Sequence, residues 1–423
     1  MSGLFPLKPG RLIVIIILVA VGQSAAQAAD NSSNNPLSLA EAEQLALSND
    51  PLLTRFGALA SAYQERAVAD AQLPDPQLSL GLQDIPIDSF SLTDDEFTEL
   101  GIGVQQTFPA GDTLKHRGNQ ATAMAGAEQA RMAEEERRAL REVRNSWLEV
   151  YYQTGAVKLL RQNQKLFSQL VEITQSQYGA GFVTQQDVLG AGLELSLLKD
   201  RETDIETARA AALAELAKWV GAEQANRPLA DEWDAAPLPE RTQIEVGLDS
   251  HPLMQVEDAL VRAGQSGVDL ARDQYKPAFG VELGYGLRGG GRTDYLSGML
   301  TLDLPIFTGK RQDRRLAASQ QEVFAARYSR DDRRRELRQM LDAQYASWTR
   351  LGERLTRNEK QLLPQATQNA ESALNAYQSG ITNFPTLVRA RITELETHLS
   401  LLRLRIDQAK AHANLLYLAG ENR

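Results

Sequence analysis

The 423-residue chain contains no cysteine. Disulfides, thiolate metal sites, cysteine nucleophiles and a lipid-acceptor thiol are thereby excluded. Histidine is almost as scarce. His116, His251, His398 and His412 are scattered, and none has a second ligand at metal spacing. Aromatic residues make up 6% of the chain, which suits long helices packed through Ala, Leu and Val better than one globular centre. There is no excess of positive charge: the formal net charge is -10 and the isoelectric point is near 5.2, which argues against a nucleic-acid surface. A Gly-x-Ser-x-Gly elbow and a phosphate-binding Gly-Lys loop are missing too. Neither an enzyme nor a cofactor site is expected.

Long apolar runs are missing after the N-terminus. There, Lys8 and Arg11 precede an apolar stretch from Leu12 to Val21, small residues continue through Ala29, and Ala26-Gln27-Ala28 has the form of a cleavage site. Residues 1–29 read as a secretory signal peptide. The stretch is shorter than the ~20 residues of a spanning helix, and the mature chain is expected to cross no membrane as a helix.

What is present is an alternation of period two in four short segments. Leu78, Leu80 and Leu82 alternate with Gln77, Ser79, Gly81 and Gln83. Leu100, Ile102, Val104 and Phe108 alternate with Glu99, Gly101, Gly103, Gln105 and Thr107. Val281, Leu283, Tyr285 and Leu287 face away from Gly280, Glu282, Gly284 and Gly286, and Leu296, Leu300, Leu302 and Leu304 from Ser297, Thr301 and Asp303. The smallest closed membrane barrels need about eight strands, so four strands that meet lipid must be pooled among several chains. A carboxylate facing lipid is costly. The face bearing Glu99, Gln105, Glu282 and Asp303 is therefore expected to line a water-filled lumen.

The chain is also written twice, with a shift near 200 residues. Asn49-Asp50-Pro51 recurs as Ser250-His251-Pro252, Phe108-Pro109-Ala110-Gly111 as Ile306-Phe307-Thr308-Gly309, and Tyr178-Gly179-Ala180-Gly181 as Tyr377-Gln378-Ser379-Gly380. Each copy reads as helix, two strands, a very long helix, a tight turn and a second long helix. No proline lies between Asp112 and Tyr178, and only Pro364 lies between Lys310 and Tyr377; at about 1.5 Å per residue such helices approach 100 Å. Gly181 and Gly380 can take the left-handed conformation that ends a helix. Thr184 with Asp187 resembles a capping box, and Thr382 or Asn383 can cap the last helix. The expected divisions are a first repeat over 30–220, an irregular segment over 221–241 and a second repeat over 242–420. Two readings stay open for the middle segment, a belt packed around the helices or a plain linker.

The charge runs Glu134 to Arg138 and Asp331 to Glu336 occupy corresponding places in the two long helices. Mixed signs at spacings of three and four read as solvated faces laced with ion pairs, or as pairing between subunits. The acidic loop between Asp84 and Glu99 reads as solvated, with a cation-attracting mouth as its competitor.

With these features the chain resembles the outer-membrane efflux proteins of the TolC family over nearly its whole mature length. The carriers are the duplication, the paired strands, the entries at Leu73 to Pro76 and Tyr275 to Pro277, the exits at Phe108 to Gly111 and Pro305 to Gly309, and the Tyr-Gly turns. The resemblance implies a mainly α fold in which a homotrimer pools its strands into one twelve-stranded barrel in outer-membrane lipid, continued by a periplasmic tunnel of helices. It also implies docking of a periplasmic adaptor that leads to an inner-membrane pump, the type in view being resistance-nodulation-division. The implied adaptor contacts are Tyr178, Gly179, Ala180, Gly181, Phe182, Val183, Thr184, Tyr377, Gln378, Ser379, Gly380, Ile381 and Thr382. Some relatives close the tunnel with an aspartate ring after the second tip; here Thr386 and Arg389 stand in those places, and Asp187 in the first copy. The stretch Leu73 to Leu78 with Pro86 to Phe90 looks most like branches that work with heavy-metal pumps. The alternatives are a periplasmic coiled-coil adaptor or scaffold, and a periplasmic enzyme using Glu282 and Asp303 as paired carboxylates.

Overall fold

The computed structural model describes residues 35–233 and 236–420; the signal-peptide reading of residues 1–29 falls outside them. The first half runs α1 (Leu39–Asn49), α2 (Pro51–Ala69), β1 (Gln77–Gln83), β2 (Glu99–Phe108), α3 (Thr113–Gly179) and α4 (Gln185–Val220). A single turn, α5 (Ala222–Ala225), leads to α6 (Arg241–Gly247), α7 (Pro252–Asp273), β3 (Ala278–Arg288), β4 (Tyr295–Asp303), α8 (Gln312–Arg357), α9 (Leu363–Gln378) and α10 (Phe384–Ala419).

The helix starts follow local chemistry. Ser38, Asp50 and His251 each accept a backbone N–H of the following turn, at 3.2, 2.9 and 3.3 Å, and Pro51 and Pro252 sit in first turns where a missing N–H costs nothing. With 67 residues, α3 is about 100 Å long and forms the spine of the molecule. It packs on α2 and α7 toward the sheet and on α4 and α10 toward its far end. Small buried residues, Ala121, Ala123, Ala125, Ala127 and Ala130, line its sheet-side half. They let backbones approach closely: a Cβ on Gly118 would lie 3.1 Å from the Ala67 carbonyl.

The second long helix is not continuous. Pro364, in the first turn of α9, has no N–H to donate to Lys360 and crowds that carbonyl. The chain absorbs this by widening into one π turn over Asn358–Leu362, so α8 and α9 remain nearly a single rod.

The segment after α4 is a packed belt, and it is not wholly irregular, since it opens with α5. Leu37 and Leu229 form a parallel bridge. Arg227 donates to the Asn35 carbonyl and the Glu41 carboxylate at 2.8 and 2.6 Å, and Tyr151 donates to the Asp231 carbonyl at 2.9 Å. Trp233 meets the rings of Trp147 and Tyr151 edge-on at 6.0 and 5.1 Å. Trp147 is fully buried there, with its indole N–H on the Leu37 carbonyl at 3.2 Å. A linker would leave these groups in water.

The first charge run is less solvated than expected, whereas the second stays largely exposed and laced with ion pairs. Glu135 is buried and held by Arg138, while Glu134 accepts from the Tyr417 hydroxyl at 3.0 Å. In the second run Arg334 reaches Asp249, and the adjacent Arg330 reaches Asp258 on α7, both at 2.5 Å. These pairs tie α8 to its own chain.

His251 is buried between these helices. Its Nδ1 accepts from Leu253 and its Nε2 donates to the Tyr417 carbonyl at 3.3 Å, an arrangement that requires the neutral ring. Burial, with the nearby Arg137 cation, lowers its pKa from 6.5 to about 4. The unfolded chain therefore binds the extra proton first. The stability due to the neutral ring is complete above pH 6.5 and is lost as the pH falls toward 4, about 3 kcal/mol in all. His251→Asn keeps a capping side chain and is expected to flatten the fall of the urea midpoint across that window; an unchanged slope would contradict the assignment.

Candidate functional site

The four strands form one antiparallel sheet in the order β1-β2-β3-β4. Pairing of β2 with β3 joins the two halves of the chain. The register sets side chains in rows: Leu80, Ile102, Tyr285 and Leu296 lie side by side on one face, and Gln77, Gln105 and Glu282 on the other, with Met299 ending that row on the edge strand. The apolar face looks outward into solvent rather than into a core, with Leu80 68% and Leu296 76% exposed. Strands β2, β3 and β4 have 10, 11 and 9 residues, and a tilted transmembrane strand needs about 9–11. Both edge strands are exposed along their whole length. No described helix is long and apolar enough to cross a membrane.

Glu99, Gln105, Glu282 and Asp303 share the polar face. Gln105 is the cross-strand partner of Glu282. Glu99 is buried, lies across from Arg288 and accepts from the Tyr295 hydroxyl. Asp303 lies opposite Ala278, four rows from Glu282, roughly 14 Å at about 3.4 Å per residue. The two carboxylates are therefore not a catalytic pair, and the enzyme reading loses its site. Arg288 and Tyr295 were not among the sequence candidates, because their part depends on which strand lies beside β2. The Tyr295 ring lies over Gly286, where a Cβ would come within 2.7 Å of it. At the loop end Arg292 donates to the carbonyls of Thr93 and Asp95 at 3.1 and 2.8 Å. These bonds tie the β3–β4 turn to the acidic loop. At the helix end the rings of Phe108 and Phe279 stack at 4.7 Å.

The two helical turns at the far end are built alike. Gly181 has φ +79° and Gly380 φ +70°. Gly181 donates to the Tyr178 carbonyl and Phe182 to Gln177, both at 2.9 Å; Gly380 donates to Tyr377 and Ile381 to Ala376, at 3.0 and 2.8 Å. Both are Schellman motifs, ended by Ala180 and by Ser379, which follow Gly179 and Gln378. Past Val183, Thr184 and Asp187 form a reciprocal capping box. Past Thr382, Asn383 caps α10 and also accepts from the Thr386 hydroxyl at 2.6 Å. Arg389 is exposed one turn further.

The two tyrosines of these turns differ. Tyr178 is exposed, whereas Tyr377 is buried against Phe384 and donates to Gln177 at 2.7 Å. That bond holds the two tips side by side. Tyr377 is thus a clasp within the chain and cannot offer its ring to a partner. Phe182 and Ile381 protrude most, each 82% exposed.

An outward-apolar sheet on a long helical body defines an outer-membrane duct. The sequence pattern of the outer membrane efflux protein family matches residues 42–222 and 244–421, and the chain belongs to that family. Its place is the outer membrane and its function that of an efflux channel; the adaptor and scaffold reading is set aside. The fold is shared with the outer membrane protein VceC of Vibrio cholerae, at TM-score 0.77 and 18% identity over 91% of this chain and 96% of that one. It is shared likewise with the CmeC outer membrane channel of Campylobacter jejuni, at 0.78 and 11% over 90% and 85%, and with a membrane protein of Pseudomonas aeruginosa, at 0.78 and 17% over 90% and 93%. No curated sequence matches the chain.

Gly181→Pro and Gly380→Pro impose φ near -65° where the turns need a positive angle. Both variants are expected to reach the outer membrane in normal amount while efflux in a susceptibility assay falls. Loss of membrane insertion would contradict the independence of tip and sheet.

Proposed function

We propose that three copies of the chain pool their sheets into a twelve-stranded barrel and that the helices continue it as a tunnel through the periplasm. The observation that carries this reading is the sheet itself: an apolar face turned outward, a polar face behind it, and two open edges. In a bilayer an unpaired edge N–H or C=O costs several kcal/mol. Pairing β4 of one copy with β1 of the next removes both edges. Glu99, Gln105, Glu282 and Asp303 then line the exit, while Leu78, Leu283 and Leu300 meet lipid. The helical layer has matching edges. Beneath the strands these edges are α2 and α8, and toward the tips they are α4 and the α8–α9 rod.

At the far end we place the docking site of a periplasmic adaptor, and beyond it an inner-membrane pump. No charged residue occurs between Glu172 and Asp187, or between Glu371 and Arg389. The contact is then made by Tyr178, Phe182, Val183 and Ile381 with the turn backbone of Gly179, Ala180, Gln378 and Ser379, without ion pairs. The narrowing of the tunnel belongs just behind the turns, at Asp187, Thr386 and Arg389.

Purified protein in detergent is expected to have three times the chain mass and to conduct ions in planar bilayers; a non-conducting monomer would overturn the reading. Phe182→Asp with Ile381→Asp is expected to weaken adaptor binding by ~2 kcal/mol or more, the scale of buried apolar anchors, with conductance retained. Wild-type affinity should change little between low and high salt, since screening acts on charges. A steep salt dependence would contradict an uncharged contact.

A further inference from the structure

Polar contacts cross the α3–α4 hairpin in rungs. Arg161 donates to Glu202 and Glu206 at 2.6 and 2.5 Å, and Gln164 donates to Glu202 at 2.8 Å. One turn further toward the belt, the same antiparallel register sets Lys158 on α3 opposite Arg209 on α4. Two cations then face each other, which is unfavourable by itself. Neither has an ion-pair partner among the described residues, although the chain carries 55 acidic residues against 45 Lys and Arg. The Nε of Arg209 is buried with no hydrogen-bond partner. A buried donor without a partner is costly, and it adds to the cost of leaving this cation without a counter-charge.

Two cavities share this pair. One, of about 430 Å³, runs along α3 past Arg161 to Lys165. The other, of about 550 Å³, opens toward α10 and the belt, and its apolar wall is formed by Gly155, Leu159, Leu229, Leu401 and Leu402. Arg405 on its rim is already engaged by Glu359 at 2.7 Å. The smaller cavity has no acidic residue in its lining, and Asp231, the one acidic residue of the larger, makes no ion pair with Lys158 or Arg209. Unpaired positive charge beside an apolar trough is complementary to a molecule that is anionic at one end and hydrocarbon at the other.

We propose that the groove between α3, α4 and α10 binds an anionic amphiphile, with a carboxylate between Lys158 and Arg209 and a hydrocarbon chain along Leu159, Leu401 and Leu402. A carboxylate in the cavity balances the charge of the Arg209 guanidinium and the Lys158 ammonium and relieves the repulsion at that rung. A bare anion leaves the trough empty, and a neutral lipid leaves the cations uncompensated. The site is separate from the sheet and the tips, so it stands or falls independently of conduction.

The test uses the full protein in nanodiscs of zwitterionic phospholipid, titrated calorimetrically with octanoate, with octanol and with inorganic phosphate. Octanoate is expected to bind saturably, and octanol and phosphate each about tenfold more weakly, the loss of one charge-assisted bond or of the chain contact. Lys158→Gln with Arg209→Gln is expected to weaken octanoate to the level of octanol, while Lys158→Arg with Arg209→Lys retains binding. Photolabelling of the wild type with a diazirine-bearing octanoate checks the place without any variant, and labels should fall within 151–165, near Arg209 and within 398–405. The proposal is overturned if octanol matches octanoate, if the charge-neutral variant binds unchanged, or if labels fall elsewhere. Phosphate binding as tightly as octanoate would overturn the amphiphile and leave a plain anion site.

Discussion

A sheet of four strands with its apolar face turned outward cannot be a finished structure. In water that face is a penalty, and in a bilayer its two open edges are. Everything else in the chain accommodates this constraint. The sheet is a junction of the two repeats, because β2 of one pairs with β3 of the other. The helices leaving it inherit its order: α2, α3, α7 and α8 lie side by side beneath the four strands. In the proposed assembly, closing the edges with further copies closes the helical layer as well.

The helical body must then be stiff over a great length without a globular core. Three buried clusters provide this, one around Trp147 at the belt, one along α3, α4 and α10 toward the tips, and one holding α6 and α7 on α8 and α10. The belt clamps the middle of the spine, and the Tyr377 clasp joins the far ends of the two hairpins. Between them lies the cationic groove. At the tips the order changes, and apolar side chains again face outward on turns that contain no charged residue between Glu172 and Asp187 or between Glu371 and Arg389. Surfaces of that kind are completed by another molecule. The protein thus presents unfinished apolar surface at both ends.

Much of this was legible because it is local. Strand alternation survives at Leu100 to Val104 whatever lies beside it. Gly181 and Gly380 announced their turns because only glycine accepts their dihedral angles cheaply, and Thr184 with Asp187 announced a cap three residues long. The shift near 200 residues between the copies needed no structure at all. What was not legible depended on neighbours distant in sequence. Glu135 reads as solvated in a charge run, yet α3 turns it inward beside Asp50 at the start of α2. Tyr178 and Tyr377 occupy equivalent positions in the two copies, and only the packing of one hairpin on the other makes one a surface and the other a clasp. Pro364 was visible, but not the π turn upstream that absorbs it. Glu282 and Asp303 look like a pair on paper, and the β3–β4 register holds them four rows apart.

By itself the sequence determined the period of each element, the places where helices start and stop, the duplication and the faces of the strands. These depend on backbone dihedral preferences and on side-chain alternation, which act over a few residues. Only the tertiary structure decided which strand lies beside which, that the belt packs, which charges are buried, and that Lys158 and Arg209 meet without a counterion. Those outcomes depend on register between segments 45 to 200 residues apart, where a shift by one residue would exchange one face for the other.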